Sequence, residues 1–205
     1  MLTKLKQKIQ QMLTAEATAA NRLGLTPNWI SFVGAIFALL AALAYLEWQD
    51  GWFYLPLAII MILLSGFCDA LDGIVARLFQ QITAFGGFLD SLLDRYADAA
   101  IYIAIIISGL CWPLWGLLAL VGSLLVSYSR ARAEAVGVKM ESVGVAERAE
   151  RMIILVVATL IASTRYWPPS TVINYAMILL AVLSNFTVLQ RGIYAYGKLK
   201  KKVAS

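Results

Sequence analysis

The 205-residue sequence predicts an all-α integral membrane protein, with six transmembrane helices preceded by an N-terminal amphipathic interfacial helix. Composition is the first reason: 61% of residues are hydrophobic and 14% charged, with mean hydropathy +0.77, against about half and about a quarter in a soluble domain. The second is arrangement, because the apolar residues gather into six runs and about 20 such residues cross a bilayer. The third is the placing of Lys and Arg, which crowd into alternate connections as the positive-inside rule expects. Such a chain has no room for a large soluble catalytic domain, so its chemistry has to sit on or between the spans. It reads as one membrane domain over residues 1–205: an interfacial helix and linker (1–24), a six-helix core (25–192) and a basic tail (193–205).

Leu5, Ile9, Met12 and Leu13 share one helical face with Lys4, Lys6 and Lys8 around it, the pattern of a helix lying in the headgroup plane. At Leu25-Thr26-Pro27-Asn28 one helix ends and another starts, with Pro27 setting the bend and Asn28 suited to cap. The apolar runs come next, at Trp29 to Tyr45, Trp52 to Cys68, Leu89 to Leu110, Pro113 to Tyr128, Met152 to Ser163 and Thr171 to Leu189. The third carries acids and the fifth is short unless it begins inside the polar segment before it, so a plain hydropathy window understates both. Lys4, Lys6, Lys8 and Arg22 precede the first span, Arg77 comes after the second, and Arg130, Arg132, Lys139, Arg148 and Arg151 come after the fourth. Arg191, Lys198, Lys200, Lys201 and Lys202 end the chain, while the other side offers only Arg165, against Glu47 and Asp50. Both termini, and the connections between spans two and three and between four and five, are therefore expected on the cytoplasmic side of the cell membrane.

The chain has no histidine, which removes the commonest general base and metal ligand at neutral pH. Cys68 and Cys111 both lie in apolar runs and are too few for a disulfide framework. A net charge of +5 suits topology and lipid headgroups, and no nucleic-acid-binding motif occurs.

The informative stretch is Asp69-x-x-Asp72-Gly73-x-x-Ala76-Arg77, eight residues, then Gly86-x-x-x-Asp90-x-x-x-Asp94. Asp69 and Asp72 share one face of the second span, Asp90 and Asp94 one face of the third, and a short connection makes the two helices antiparallel neighbours. Gly73, Ala76 and Gly86 on those faces let backbones or a bulky ligand approach closely. An ionised carboxylate deep in a membrane helix costs about 2.5–3.5 kcal/mol on insertion scales. With Asp98 included, five acids face only Arg77 and Arg95, and one or two divalent cations would offset the excess. All-oxygen ligation favours Mg²⁺ or Mn²⁺, and a paired-metal site is a ready clamp for a pyrophosphate.

These eight fixed positions over 26 residues resemble, without departure, the signature of the CDP-alcohol phosphotransferase family. The resemblance implies a six-helix membrane enzyme, usually a homodimer, that displaces CMP from a CDP-linked lipid with an alcohol hydroxyl. It further implies that Asp69, Asp72 and Asp90 hold two metal ions, and that Asp94 helps ligate and acts as general base. Gly73, Arg77, Thr83 and Gly86 would contact the CDP moiety, with Asn28 and Ser31 as the remaining contacts. A glycine is apt where a nucleotide lies against a helix.

After the fourth span the chain reads Ser127-Tyr128-Ser129-Arg130-Ala131-Arg132-Ala133-Glu134, and later Glu147-Arg148-Ala149-Glu150-Arg151. Arg132, Arg148 and Arg151, with Arg130 and with Arg191 from the sixth span, are candidates for a pocket holding a dianionic phosphate, to which forked guanidinium donors are suited. The two segments resemble those of the family's prokaryotic branch that makes phosphatidylinositol phosphate or archaetidylinositol phosphate, except that Arg130 stands where lysine is common. By that resemblance the acceptor is inositol 1-phosphate and the donor CDP-diacylglycerol or CDP-archaeol. Glycerol 3-phosphate is the alternative acceptor. A cation transporter would also use intramembrane acids, but it gives no role to Gly73, Arg77 and Gly86 at fixed offsets. For the arginines the plain alternative is positive-inside placement, and for Asp98 a buried ion pair with Arg95.

Overall fold

Thr and Pro set the first turns of the main helices. In the computed structural model, which describes residues 13–140 and 143–203, the chain is all helical. α1 spans Thr14–Arg22, α2 Pro27–Leu46, α3 Tyr54–Leu78, α4 Ala84–Ile107, α5 Pro113–Ala135, α6 Arg148–Ser163 and α7 Pro169–Val203. Pro27, Pro113 and Pro169 each open a helix, where a missing N–H leaves no bond unmade.

The cap of α2 differs from expectation. Thr26, not Asn28, is the N-cap and accepts the Trp29 N–H at 3.5 Å. Thr26 has the extended backbone a cap needs, whereas Asn28 already lies inside the first turn, which leaves its side chain for other partners. Thr83 caps α4 in the same way, accepting the Gly86 N–H at 2.9 Å. Between α3 and α4 the chain reverses in five residues, with Gln80 in the left-handed region (φ 55°) and the Gln81 N–H bonded to the Ala76 carbonyl at 2.9 Å.

Of the expected interfacial helix, Leu5, Ile9 and Met12 with Lys4, Lys6 and Lys8 lie outside the described residues. The adjoining helix α1 buries Ala17 and Ala20 against Leu71, Ile74 and Val75 of α3, and Leu13 packs against the same cluster. Gly24, at φ 76°, ends this segment.

Four helices, α2, α3, α5 and α7, are long and apolar enough to cross a membrane. α4 has the length, 24 residues or about 36 Å, but carries Asp90, Asp94, Arg95 and Asp98. α6 has 16 residues, about 24 Å, and begins at Arg148 inside the polar segment. α7, at 35 residues or about 50 Å, runs on into the basic tail.

α2 packs against both α3 and α4, α3 also against α6, and α7 against α5 and α6, with α5 completing the ring beside α4. Small residues allow the close approaches. Ala38, Ala41, Ala42 and Ala44 form the buried stripe of α2, and the Tyr45 hydroxyl bonds to Thr159 across the core. Bulky residues such as Trp29, Phe32, Leu39 and Leu43 point outward, as expected for helices whose outer face meets lipid.

α5 and α7 approach closely at Gly122, where a Cβ would lie 2.8 Å from Asn185 Nδ2 and 2.9 Å from Ser184 Cβ. Asn185 itself donates to the Leu118 carbonyl at 3.1 Å and so fastens the two helices. Gly122→Leu is expected to destabilise the bundle by roughly 1–3 kcal/mol, read as a lower thermal unfolding midpoint in detergent.

Candidate active site

The acids come together because α3 and α4, joined by a short reversal but each packed mainly against α2 rather than against the other, turn their helical ladders toward each other. Asp69 and Asp72 lie one turn apart on α3, and Asp90, Asp94 and Asp98 descend one face of α4. Oxygens of Asp69, Asp72 and Asp90 lie within 4.8 Å of one another. Asp72 is buried, Asp90 half-buried and Asp69 open to solvent. Ser31 of α2 donates its hydroxyl proton to Asp72 Oδ2, fixing that carboxylate from a third helix. A trio of carboxylates with one wetted edge fits a hard divalent cation that keeps positions for water or phosphate oxygens.

Asp94 stands outside this trio. Its Oδ1 is 2.7 Å from Arg148 Nη1 and its Oδ2 3.5 Å from Arg95 Nη1. The same Arg148 nitrogen lies 3.3 Å from Asp69 Oδ2, and Arg148 Nε donates to Asp98 Oδ1 at 3.1 Å. Asp98 is buried and also accepts from Arg151 Nη2 at 2.9 Å and Ser123 Oγ at 3.4 Å. Its expected pairing with Arg95 is therefore not found. Arg95 folds back along α4 to Asp94 and the Ser91 carbonyl, while Asp98 points inward, toward the first turn of α6 and Ser123 of α5.

Beside the acids is a cavity of about 150 Å³ lined by Asn28, Ser31, Asp72, Gly73, Thr83, Gly86 and Asp90. It therefore joins α2, the end of α3 and the start of α4. Asn28 Oδ1 would be 3.0 Å from a Cβ at Gly86 and Thr83 Oγ1 2.9 Å, so the absent side chain keeps this wall open. Arg77 is exposed and lies along Gly73, its Nη2 3.5 Å from where a Cβ would be.

No one pocket among the described residues is lined by all five arginines expected around a phosphate. Arg148 and Arg151 are committed to Asp98 and its neighbours, and Arg151, fully buried, also donates to the Ala146 carbonyl at 3.1 Å. Arg191 is buried too, donating to the Val143 carbonyl at 2.8 Å and to the Val126 carbonyl, with Glu147 3.8 Å away. It lines a groove between α5 and α7 with Arg132. Arg130 pairs with Glu134 at 3.0 Å and lines a wide groove between α4 and α5, whose other wall includes Asp94 and Ser91.

Sequence reasoning expected Asp98 in a buried ion pair but not its partners Arg148 and Arg151, and it missed the Ser31–Asp72 bond. The signal for those partners was present in the i,i+4 ladder Asp90, Asp94, Asp98 opposite Arg148 and Arg151, which lie at i,i+3 on one helical turn.

Comparison with known proteins agrees with this geometry. The family model described as CDP-alcohol phosphatidyltransferase matches residues 24–190. The chain is 42% identical to the archaetidylinositol phosphate synthase of Methanothermobacter thermautotrophicus over 181 residues, 88% of each chain. It is 39% identical to that of Pyrococcus horikoshii, covering 93% of this chain and 94% of the relative. It is 33% identical to the phosphatidylinositol phosphate synthase of Mycolicibacterium smegmatis, covering 85% and 79%. The fold resembles the crystal structure of Mycobacterium tuberculosis phosphatidylinositol phosphate synthase with CDP-DAG bound, at TM-score 0.77 and 29% identity, covering 91% of this chain and 94% of that one. The same enzyme in complex with manganese and citrate matches at TM-score 0.77 and 30% identity, covering 89% and 88%.

Because Arg151 is fully buried and Asp98 is its only charged partner among the described residues, removing that carboxylate leaves a buried cation unpaired. Asp98→Asn is expected to cost about 3–5 kcal/mol of stability, measured as a shift of the unfolding transition in detergent.

Proposed function

The chain belongs to the CDP-alcohol phosphatidyltransferase family, and from that membership we propose that it transfers the phosphatidyl or archaetidyl group of a CDP-linked lipid to the hydroxyl of inositol 1-phosphate, releasing CMP. The observation that carries this reading is the carboxylate trio of Asp69, Asp72 and Asp90 opening onto the cavity walled by Asn28, Ser31, Gly73, Thr83 and Gly86. The acceptor is supported by the two arginine-rich segments and by the names of the relatives, which are archaetidylinositol phosphate and phosphatidylinositol phosphate synthases.

In this reading the cavity takes the CDP moiety and Arg77 meets its pyrophosphate. Mg²⁺ or Mn²⁺ held by Asp69, Asp72 and Asp90, with Asp94 joining for a second ion, supplies charge neutralisation on the pyrophosphate oxygens. The acceptor's hydroxyl oxygen forms a bond to the lipid-bearing phosphorus as the bond to CMP breaks, and Asp94 takes the hydroxyl proton. Asp94 and Arg130 line the same groove, so an acceptor with its hydroxyl at Asp94 has a guanidinium within the groove for its phosphate. Arg132 and Arg191 line the neighbouring groove on the other side of α5.

We read α4 and α6 as the remaining two spans, making six. α4 buries its acids against α2 and α6 rather than facing lipid, and α6 is extended by the polar segment that precedes it. The distribution of Lys and Arg supports a cytoplasmic position for the acid-bearing end of the bundle.

The purified protein, given Mg²⁺ or Mn²⁺ and either CDP-diacylglycerol or CDP-archaeol, is expected to release CMP with inositol 1-phosphate and not with free inositol, serine or glycerol 3-phosphate. The lipid product should carry the mass of an added inositol phosphate. CMP release with glycerol 3-phosphate instead overturns the acceptor while leaving the family intact. Asp94→Asn should lower kcat by roughly 10²–10⁴, the range of a lost general base, and full activity in that variant contradicts the mechanism.

A further inference from the structure

We propose that Arg148 is an internal counter-cation that competes with a divalent ion for Asp69 and Asp94, so that its guanidinium has to withdraw from this pair before a second ion binds there. The inference rests on the transferase reading, under which divalent cations belong to this cluster.

A single nitrogen, Arg148 Nη1, lies 2.7 Å from Asp94 Oδ1 and 3.3 Å from Asp69 Oδ2. It fills the gap between one member of the carboxylate trio and the acid that stands outside it. An ion bridging the same two carboxylates would need oxygens at about 2.0–2.1 Å if it were Mg²⁺. The guanidinium and the ion therefore claim the same volume, and as like charges only a few ångströms apart they also repel. Both neutralise the same two acids, so the occupancy of one sets the affinity for the other.

The geometry also allows the exchange to occur without unravelling the helix. Arg148 Nε is bonded to Asp98 Oδ1 at 3.1 Å, a contact separate from the one at Nη1. Asp98 is itself fixed by Arg151 at 2.9 Å and by Ser123 at 3.4 Å. The side chain can thus give up Asp69 and Asp94 while its Nε stays on Asp98. With the ion absent, Arg148 leaves Asp94 charge-compensated, so the bundle tolerates the acid before any metal arrives.

The test is a Mn²⁺ titration of the full-length protein in nanodiscs without substrate, with free ion followed by electron paramagnetic resonance. Arg148→Gln is expected to bind its weaker Mn²⁺ tenfold or more tightly than wild type, since the competitor is gone. Arg148→Lys should fall between the two, because a compact ammonium does not bridge three carboxylates as a fork does. An unchanged isotherm in both variants, or weaker binding by Arg148→Gln, overturns the proposal. If Arg148→Gln does not fold, Arg148→Lys decides alone: tighter binding supports competition and wild-type binding refutes it. Because substrate is absent, the titration is independent of CMP release, whose failure would remove the transferase reading and leave the ion comparison standing.

Discussion

Everything in this bundle depends on how carboxylates are kept among apolar helices. An unpaired charge there is expensive, and α3 and α4 together bring in five. The chain compensates them from three directions. Ser31 on α2 holds Asp72, Arg148 and Arg151 on α6 hold Asp98 and Asp94, and the solvent-open edge at Asp69 remains for a cation. These partners come from different sides of the bundle, so the helix order of the fold reflects the need to surround the acids.

That compensation sorts the acids by task. Asp98, deepest and most fully paired, is bound on both oxygens and acts as a brace between α4, α5 and α6. Asp69, Asp72 and Asp90 are gathered closely enough to share one ion. Asp94 lies between the two sets and contacts the Arg148 guanidinium. Across the two facing helices the acids thus differ in how fully they are paired, which spacing by itself does not distinguish.

The convergence of Asp69, Asp72 and Asp90 was legible in the sequence because their spacing is helical and local, whereas Asp94 standing outside that trio, and α2 packing between the two helices, were not. Asn28, Ser31, Gly73, Thr83 and Gly86, which the resemblance groups as CDP contacts, do line one cavity. The pairing of Asp98 was not legible. Arg95, three residues before it, is the obvious local partner, yet the true partners are some fifty residues downstream, on a helix whose position only tertiary packing decides. How the arginine group is deployed was not legible either, for a related reason. Density of charge in a segment does not say which way each guanidinium turns, and Arg151 and Arg191 turn inward to backbone carbonyls and buried partners. Likewise the Pro27 bend was readable, but whether Thr26 or Asn28 caps depends on a small difference of register.

The shortness of α6 has a consequence for the bilayer itself. At about 24 Å it falls several ångströms short of a typical hydrocarbon core of about 30 Å, and its first turn carries Arg148 and Arg151. Read as the fifth span, α6 would require the bilayer beside it to thin, or water to move inward with the arginines, and either way the polar boundary would be drawn down toward the level of the acids. The reacting phosphorus of an amphiphile and a water-soluble alcohol are partners that normally reside in different phases. On that reading, a dimple of this kind would let the two meet without the lipid leaving the membrane or the polar molecule entering oil.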